Sequence, residues 1–554
     1  MVAPGAESGR LKGLDDESRQ MVVETVRQLR SRLLTKEKIL KWDRDEVFPE
    51  REVREMLGPE IGLQLLFIPE EYGGLGGGAR DCCAVTREMA KICLGIGTAF
   101  FAIQLGADPL LVGATEAQKE KWLGAIAEGN SLVAYAVTEP GAGSNLASLK
   151  TKAVPIANDA GDITGYNING TKQFISTGGY ADFITLLAHT PEGPSFFVVE
   201  KDTKGFDQKK GEEKHGIRAS NTSPLTFDDV FVPIDNLIGG VPGVGLKQAN
   251  LVFGYTRLMV ASMALGAGDA AMEIAIPYAK ERIQFGGPLS EKQGYTHKLI
   301  VPNAVRLEAA AAYIEEVAVL LDASDADYQV EGAIGKYFAT EAANKAADDA
   351  IQALGGYGYI NEYEVEKIKR DVKITCIYEG TSEIQQNIIS TFRWKKTRKT
   401  KGAYYNGIAE EMMGLDTAGV DVGARYYGLA AKALNHCIDT AHENKLTRRQ
   451  FIMFSLADMM TWVEVGAALA RKAVRLHQAG DPNAVKMAAV ARIFAAETAQ
   501  LTASKALMLI MGTDVIAPEE SEALLNAISY NELIRSCRNV ISDMDVVADN
   551  LFER

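Results

Sequence analysis

Cysteine is scarce in this sequence: six in 554 positions (Cys82, Cys83, Cys93, Cys376, Cys437 and Cys537), with no C-x-x-C pair among them. That spacing suggests neither a disulfide framework nor a zinc site, and it fits a reducing cytoplasm best. Histidine is equally scarce, and the six (His189, His215, His297, His436, His442, His477) show no pair at metal-ligand spacing, so they are read as structural and no metal is expected. Basic charge is in deficit, 59 Lys and Arg against 73 Asp and Glu, and the resulting net charge of −14 argues against a nucleic-acid partner. No uninterrupted apolar run approaches the roughly 20 residues of a spanning helix. The stretch from Met1 to Met21 carries Glu7, Asp15, Asp16 and Glu17 with no apolar core, which argues against a signal or transit peptide. A soluble cytoplasmic protein is expected, in weak contact with the inner face of a membrane at most.

Apolar side chains, by contrast, are ample: 47% of residues are hydrophobic and mean hydropathy is −0.05, so the chain can fill large cores and is not a disordered polymer. Its length exceeds one core and predicts three or four domains. Residues 1–130 read as an all-α domain, with apolar positions at helical spacing (Val22, Val26, Leu29, Leu33; Val85, Met89, Ile92) and a capping box at Thr115-x-x-Gln118. Residues 131–245 change to short alternating runs, Ile184-Thr-Leu-Leu-Ala, Phe196-Phe-Val-Val-Glu200 and Leu225-Thr-Phe, separated by turn residues; this predicts a small β-barrel or sandwich. Residues 246–392 return to Ala-rich helices suited to a four-helix bundle. A basic run, Arg393-Trp-Lys-Lys-Thr-Arg-Lys-Thr-Lys401, reads as a linker at 393–401, either a solvated hinge or a weak membrane contact. An additional α-helical domain, 402–554, completes a multidomain α+β chain. Ala333-Ile-Gly-Lys-Tyr-Phe-Ala-Thr-Glu341 aligns with Ala489-Val-Ala-Arg-Ile-Phe-Ala-Ala-Glu497, and the register continues through Ala350/Ala506 to Gly356/Gly512. The pattern suggests a degenerate second bundle, against the alternative that Ala-rich helices align by chance.

Two motifs at the β block carry candidate chemistry. Ala134-Tyr-Ala-Val-Thr-Glu-Pro-Gly-Ala-Gly-Ser-Asn145 offers exposed backbone N–H groups and hydroxyls, and Gly170-Thr-Lys-Gln-Phe-Ile-Ser-Thr-Gly-Gly179 offers an aromatic face beside hydroxyls. Gly73-Gly-Leu-Gly-Gly-Gly78 imitates a dinucleotide loop, but no βαβ alternation follows it, so it is read as a loop between helices. Together with Pro69-Glu-Glu-Tyr-Gly-Gly-Leu-Gly76, Lys214-His-Gly-Ile-Arg-Ala-Ser220, Phe227-Asp-Asp-Val-Phe-Val-Pro233, Glu281-Arg-Ile-Gln-Phe-Gly286, Gln352-Ala-Leu-Gly-Gly-Tyr-Gly358 and Ile377-Tyr-Glu-Gly-Thr-Ser-Glu-Ile-Gln385, the two motifs resemble the acyl-CoA dehydrogenase family, in family order over residues 15–392. The C-terminal extension resembles that of the very-long-chain type.

The resemblance implies FAD, held by Tyr135, Val137, Thr138, Gly143 and Ser144, with Phe174 and Ser176 against the flavin ring. It implies that Arg282, Phe285, Gln352, Gly355 and Gly356 grip the cofactor of a neighbouring subunit, with Thr381 at the end of that site, and that Ser144, Arg257, Tyr378 and Gly380 contact substrate. Glu379 matches the family's catalytic base. Removing a proton α to a thioester while hydride leaves the β carbon needs such a carboxylate, and an apolar setting is expected to raise its pKa towards neutrality. Taken alone, a Glu in Tyr-Glu-Gly-Thr is more often a turn or cap residue. Cys376 nearby is read as core.

The implied activity is α,β-dehydrogenation of an acyl-CoA, with electrons passed to electron-transferring flavoprotein. Alternatives are an enoyl-CoA reductase or acyl-CoA oxidase on the same scaffold, or a flavin-retaining assembly protein. The span Ile92–Val112 corresponds to the acyl-pocket wall; it lacks Arg and Lys, which favours a monocarboxylic chain, and Gly95, Gly97 and Ala99 suggest room there, with Phe100 and Phe101 as a cap. Gly254, Gln386 and Thr391 depart from the family pattern near the CoA arm. If the extension packs where small relatives place a second dimer, a homodimer follows.

Overall fold

The computed structural model describes residue 11 and residues 13–129, 131–324, 326–417 and 419–554. The first ten residues, including Glu7, and the domain-boundary residue Asn130 lie outside the described residues. The chain forms two compact units. The first comprises residues up to 267 with 318–329 and 370–374; the second comprises 268–317, 330–369 and 375–554.

In the first unit, helices α1 (Asp16–Arg32), α2 (Lys36–Asp45), α3 (Glu50–Leu57), α4 (Ala79–Gly113) and α5 (Glu116–Ala127) precede the sheet. The expected capping box forms at α5: Thr115 accepts from the Gln118 N–H and Gln118 reaches back to Thr115 N–H, satisfying two otherwise orphaned donors. Residues 73–78 form a loop ahead of α4. That helix is almost wholly buried and bends at Cys93, whose φ of −163° and ψ of 116° break the helical run.

Seven strands follow: β1 (Val133–Ala136), β2 (Lys152–Ala157), β3 (Ile163–Ser176), β4 (Phe183–Thr190), β5 (Gly193–Glu200), β6 (Phe206–Gln208) and β7 (Thr222–Pro233). They make one mixed sheet in the order β1-β4-β2-β3-β7-β6, with β5 on β4. Strand β4 thus pairs with β1 in parallel, with β5 antiparallel, and with β2 only at Lys152–His189. Because one strand serves three neighbours, the sheet branches and closes over a core that includes Ile168, Ile184, Leu186, Phe197, Leu225 and Val230.

Helix α6 (Gly245–Glu281) passes into the second unit, which holds a hairpin of β8 (Ile283–Gln284) and β9 (Gly287–Pro288) and a single turn, α7 (Gln293–Tyr295). Helices α8 (Val301–Ala323), α9 (Gln329–Leu354), α10 (Glu364–Val372) and α11 (Ser382–Lys399) continue the chain. The extension comprises α12 (Ala403–Leu415), α13 (Ala424–Glu443), α14 (Gln450–Gln478), α15 (Ala484–Met511), α16 (Pro518–Ala527), α17 (Tyr530–Leu533) and α18 (Val540–Phe552).

The segment 393–401 corrects the expectation of a linker: α11 runs unbroken through it to Lys399. Its cations are not all at the surface. Arg393 is 3% exposed and forks onto Glu464 of α14 at 2.8 Å while reaching Glu331 of α9 at 2.7 Å; Tyr405 and Tyr404 donate to the same Glu464 carboxylate. A charge run read by composition as solvated is, at Arg393, a buried junction. Helices α4, α6 and α14 are long and apolar enough to cross a membrane, with mean hydropathy of 1.5, 1.4 and 1.4 in their most apolar windows, although interspersed polar residues break the runs; 94%, 78% and 83% of those windows are buried in the protein.

Candidate active site

The residues nominated by sequence divide between the units. In the first, β1 leads into a tight turn in which the backbones of Glu139 and Ala142 exchange hydrogen bonds at 3.0 and 3.1 Å. The Glu139 carboxylate then closes the following loop by accepting from Lys150 N–H at 2.7 Å and Thr151 N–H at 3.0 Å. Lys172 of β3, fully buried, donates to Glu139 and to the Val137 carbonyl, both at 2.9 Å, and Gln173 N–H donates to Thr138 O. Burial pushes the Lys172 amine down to about 8 in spite of its carboxylate partner. Burial alone would raise the Glu139 carboxyl, but hydrogen bonds from Thr151 and Lys172 outweigh it and hold it below its ordinary value. The hydrogen bonds from Lys172 to Val137 O and from Gln173 N–H to Thr138 O fix Val137 and Thr138 relative to β3.

That anchoring leaves Gly143 and Ser144 exposed, with nothing within 4 Å of where a Cβ on Gly143 would lie. Two residues beyond Lys172 the β3–β7 register shifts, and Phe174 sits in the left-handed region at φ 61° with its ring 63% exposed. A bulge of this kind re-aims a side chain out of the pleat. Ser176 follows, half-buried, opposite Thr222. Tyr135 is half-buried with its ring 5.8 Å from Phe196, and Arg257 on α6 is 8% exposed.

The α4 wall corrects one expectation. Gly95 does not leave room: a Cβ there would meet Ala219 at 3.3 Å, so this glycine permits close packing, while a Cβ on Gly97 would sit in ordinary contact with Ala90 at 3.5 Å. Phe100 is core, its ring 5.7 Å from that of Phe67, and Phe101 is 3% exposed.

In the second unit, Phe285 and Gly286 form the tip of the β8–β9 hairpin, both with positive φ (49° and 78°), and the Phe285 ring is 96% exposed. Arg282 at its base lies 5.7 Å from the Tyr357 ring, just beyond Gln352, Gly355 and Gly356 at the end of α9. Gly355 and Gly356 face open space.

Tyr378, Glu379, Gly380 and Thr381 form the turn entering α11. Thr381 is its N-cap, accepting from Ile384 N–H. Glu379 is held in the left-handed region at φ 54°, followed by Gly380 at φ 90°. Two residues not singled out from the sequence clamp this turn. Lys336 of α9, 1% exposed, donates to the carbonyls of Tyr378 (2.6 Å) and Gly380, and Gln385 Nε2 donates to those of Glu379 (3.1 Å) and Gly380 (2.8 Å). The signal for Lys336 was in view, since it is a lone cation within the apolar Ala-Ile-Gly-Lys-Tyr-Phe-Ala pattern. Cys376 is 5% exposed, with the Asn344 amide donating to its sulfur at 3.2 Å. Gln386, one of the departures near the CoA arm, hydrogen-bonds Tyr337 and Asp458 of α14, so it serves the extension.

Among the described residues, no three His, Cys, Asp or Glu side chains gather to hold a metal ion. Taken by itself, the first unit offers an exposed flat ring at Phe174 and an open backbone at Gly143, and the second, by itself, an exposed ring at Phe285 and open backbone at Gly355 and Gly356; each set suits an aromatic or diphosphate-bearing ligand, which needs apolar faces and close backbone approach.

Sequence profiles agree. That of the acyl-CoA dehydrogenase N-terminal domain matches residues 16–130, that of the middle domain 134–230, and that of the C-terminal domain two segments, 243–392 and 406–534. An acyl-CoA dehydrogenase of Bacillus subtilis is 39% identical over 357 residues, covering 63% of this chain and 91% of its own. Acryloyl-CoA reductase (NADH) of Anaerotignum propionicum is 38% identical over 353 residues, 63% and 87% of the two chains. The crystal structure of an acyl-CoA dehydrogenase complexed with FAD from Bacillus anthracis is similar throughout, with a TM-score of 0.86 at 25% identity, covering 98% of this chain and 96% of that one. This chain belongs to the acyl-CoA dehydrogenase family. It is an FAD-dependent oxidoreductase acting on the CH–CH group of an acyl-CoA.

Proposed function

We propose that this enzyme oxidises a monocarboxylic acyl-CoA to the 2-enoyl-CoA, with Glu379 as the base that takes the α-proton. The observation that carries the reading is the clamped turn: a carboxylate on a left-handed backbone, fixed on either side by Lys336 and Gln385. FAD, when bound, supplies the acceptor for the β-hydride. Tyr135, Val137, Thr138, Gly143, Ser144, Phe174 and Ser176 of the first unit hold it, with Arg282, Phe285, Gln352, Gly355, Gly356 and Thr381 of the second contributing to a neighbouring subunit's site. Ser144, Arg257, Tyr378 and Gly380 contact the thioester and its CoA. The buried charges of α4 are Asp81 and Asp108, so this wall offers no cation to a second acyl carboxylate. Electrons leave to electron-transferring flavoprotein. The five buried free thiols are compatible with a cytoplasmic setting.

Anaerobic addition of a saturated acyl-CoA series should bleach the flavin at some chain length, and Glu379→Gln should abolish bleaching with FAD still bound. Retained bleaching in the variant would remove Glu379 from this role. The similarity to an acryloyl-CoA reductase favours one second reading, the reverse reaction on the same site. Reoxidation separates the electron partners: slow in air and fast with electron-transferring flavoprotein is the expected result, whereas fast reoxidation by air alone would make the enzyme an oxidase.

A further inference from the structure

The β8–β9 hairpin is a poor candidate for independent rigidity. Its strands are two residues each, and hairpins isolated from a larger sheet are marginal in water. Its tip carries Phe285 in a left-handed conformation that a bulky side chain disfavours, with the ring 96% exposed. Internal ties are few: Leu289 N–H donates to Arg282 O at 2.9 Å, and Lys292 Nζ reaches Phe285 O at 3.4 Å.

Further ties come from α18 and the two residues after it, far away in sequence. On one side of the hairpin, Lys280 Nζ pairs with Glu553 at 2.6 Å. On the other, Arg554 Nη1 donates to Ser290 O at 2.6 Å, Gln293 Nε2 donates to Asp545 Oδ1 at 3.2 Å, and His297 Nε2 lies 3.2 Å from the same oxygen. Asp549 orients the Arg554 guanidinium at 2.7 Å. Helix α18 is itself anchored, with Val547, Ala548 and Phe552 buried and Arg492 of α15 forking onto Asp543. Helix α18 and the two residues that follow it therefore reach the chain on both sides of the hairpin, Glu553 at Lys280 before it and Arg554 and Asp545 at Ser290, Gln293 and His297 after it.

We propose that α18 and the two residues after it brace the hairpin for cofactor binding, making Asp545, Glu553 and Arg554 positioning residues for FAD; this rests on the reading of Arg282 and Phe285 as cofactor-gripping residues. Exposed ion pairs are individually weak, and Glu553 is 79% exposed, so the effect is graded. The extension, which carries no nominated cofactor residue of its own, thereby acts on cofactor retention.

The test is FAD release on serial dilution of the holoenzyme, read by flavin fluorescence. The combined variant Asp545→Ala, Glu553→Gln, Arg554→Ala should weaken FAD affinity by about three- to tenfold, the size expected from losing several surface contacts. Lys472→Ala, which breaks a pair between the extension and Glu315 of α8 away from the hairpin, should leave affinity unchanged. Equal loss in both variants would mean general loosening and overturn the brace. Unchanged affinity in the combined variant, with Phe285→Ala weakened, would overturn the brace and leave the hairpin's cofactor role standing. Unchanged affinity in Phe285→Ala would remove that role and the brace with it.

Discussion

Phe174, Phe285 and Glu379 share a backbone property: each is a non-glycine residue in the left-handed region, at φ 61°, 49° and 54°. Such conformations cost about 1 kcal/mol or more for a residue with a Cβ and persist only where the surroundings over-determine them. At Glu379 the surroundings are Lys336 and Gln385, so Lys336→Met should release the turn without touching substrate. The expected outcome is FAD bound as in the parent enzyme, with kcat lower by about ten- to hundredfold from misplacement of the base. Parent-like kcat would show that Gln385 alone fixes the turn. Sequence could name Glu379 through a motif and could not name Lys336 as its clamp, because a contact between positions 42 apart is a property of how α9 meets the start of α11. The same holds for Lys172 and Glu139, both present in quoted motifs yet visible as a buried ion pair only once β3 lies beside the turn after β1.

At the scale of elements, Asp182 at the entry to β4 shows how single charges join segments within the first unit. It accepts from Arg54 of α3 at 2.8 Å, from Leu132 N–H ahead of β1 at 2.9 Å, and from Lys201 after β5 at 3.0 Å. Burial would raise its carboxyl, but these partners outweigh burial and hold its pKa below the ordinary value. A pKa lower in the folded than in the unfolded chain gives stability that is present above the unfolded value, near 4, and is lost as pH falls through the folded one. Asp182→Asn should therefore lower stability by about 1–3 kcal/mol at pH 7, and the difference from the parent should shrink below about pH 4. Urea unfolding of both proteins at the two pH values checks it; a difference unchanged by acid would deny the carboxylate its role. Elements were legible where local pattern decides them, as in the α5 cap and the runs that form β4, β5 and β7, although β4 and β5 are buried on both faces where alternation was expected. The 393–401 run was not, because composition records the charge of Arg393 and not the buried Glu464 and Glu331 that neutralise it.

On the scale of the whole molecule, the repeat in the sequence has a geometric counterpart within the second unit. Phe338 of α9 and Phe494 of α15 occupy the same place in the two aligned motifs, and their rings meet edge to face at 5.5 Å. A residue touching its own counterpart is the mark of an isologous, twofold contact, made here within one chain. Around it, α8 is tied to the extension by Arg306–Glu497, Glu308–Lys486, Glu315–Lys472 and Glu316–Arg471, while Tyr337 and Gln386 hold Asp458. The faces of α8, α9 and α11 that this contact covers are not available to another copy of the chain. Association through them is therefore already used up internally, while the Arg282–Phe285 hairpin still requires a neighbouring subunit on the proposed reading of the site. On that reading the chain pairs once, through the side that carries the hairpin, and sedimentation equilibrium should return twice the 59.9 kDa chain mass. A particle of four chains would require a further interface on a surface that the extension leaves open, and would break the equivalence between the internal repeat and a second dimer.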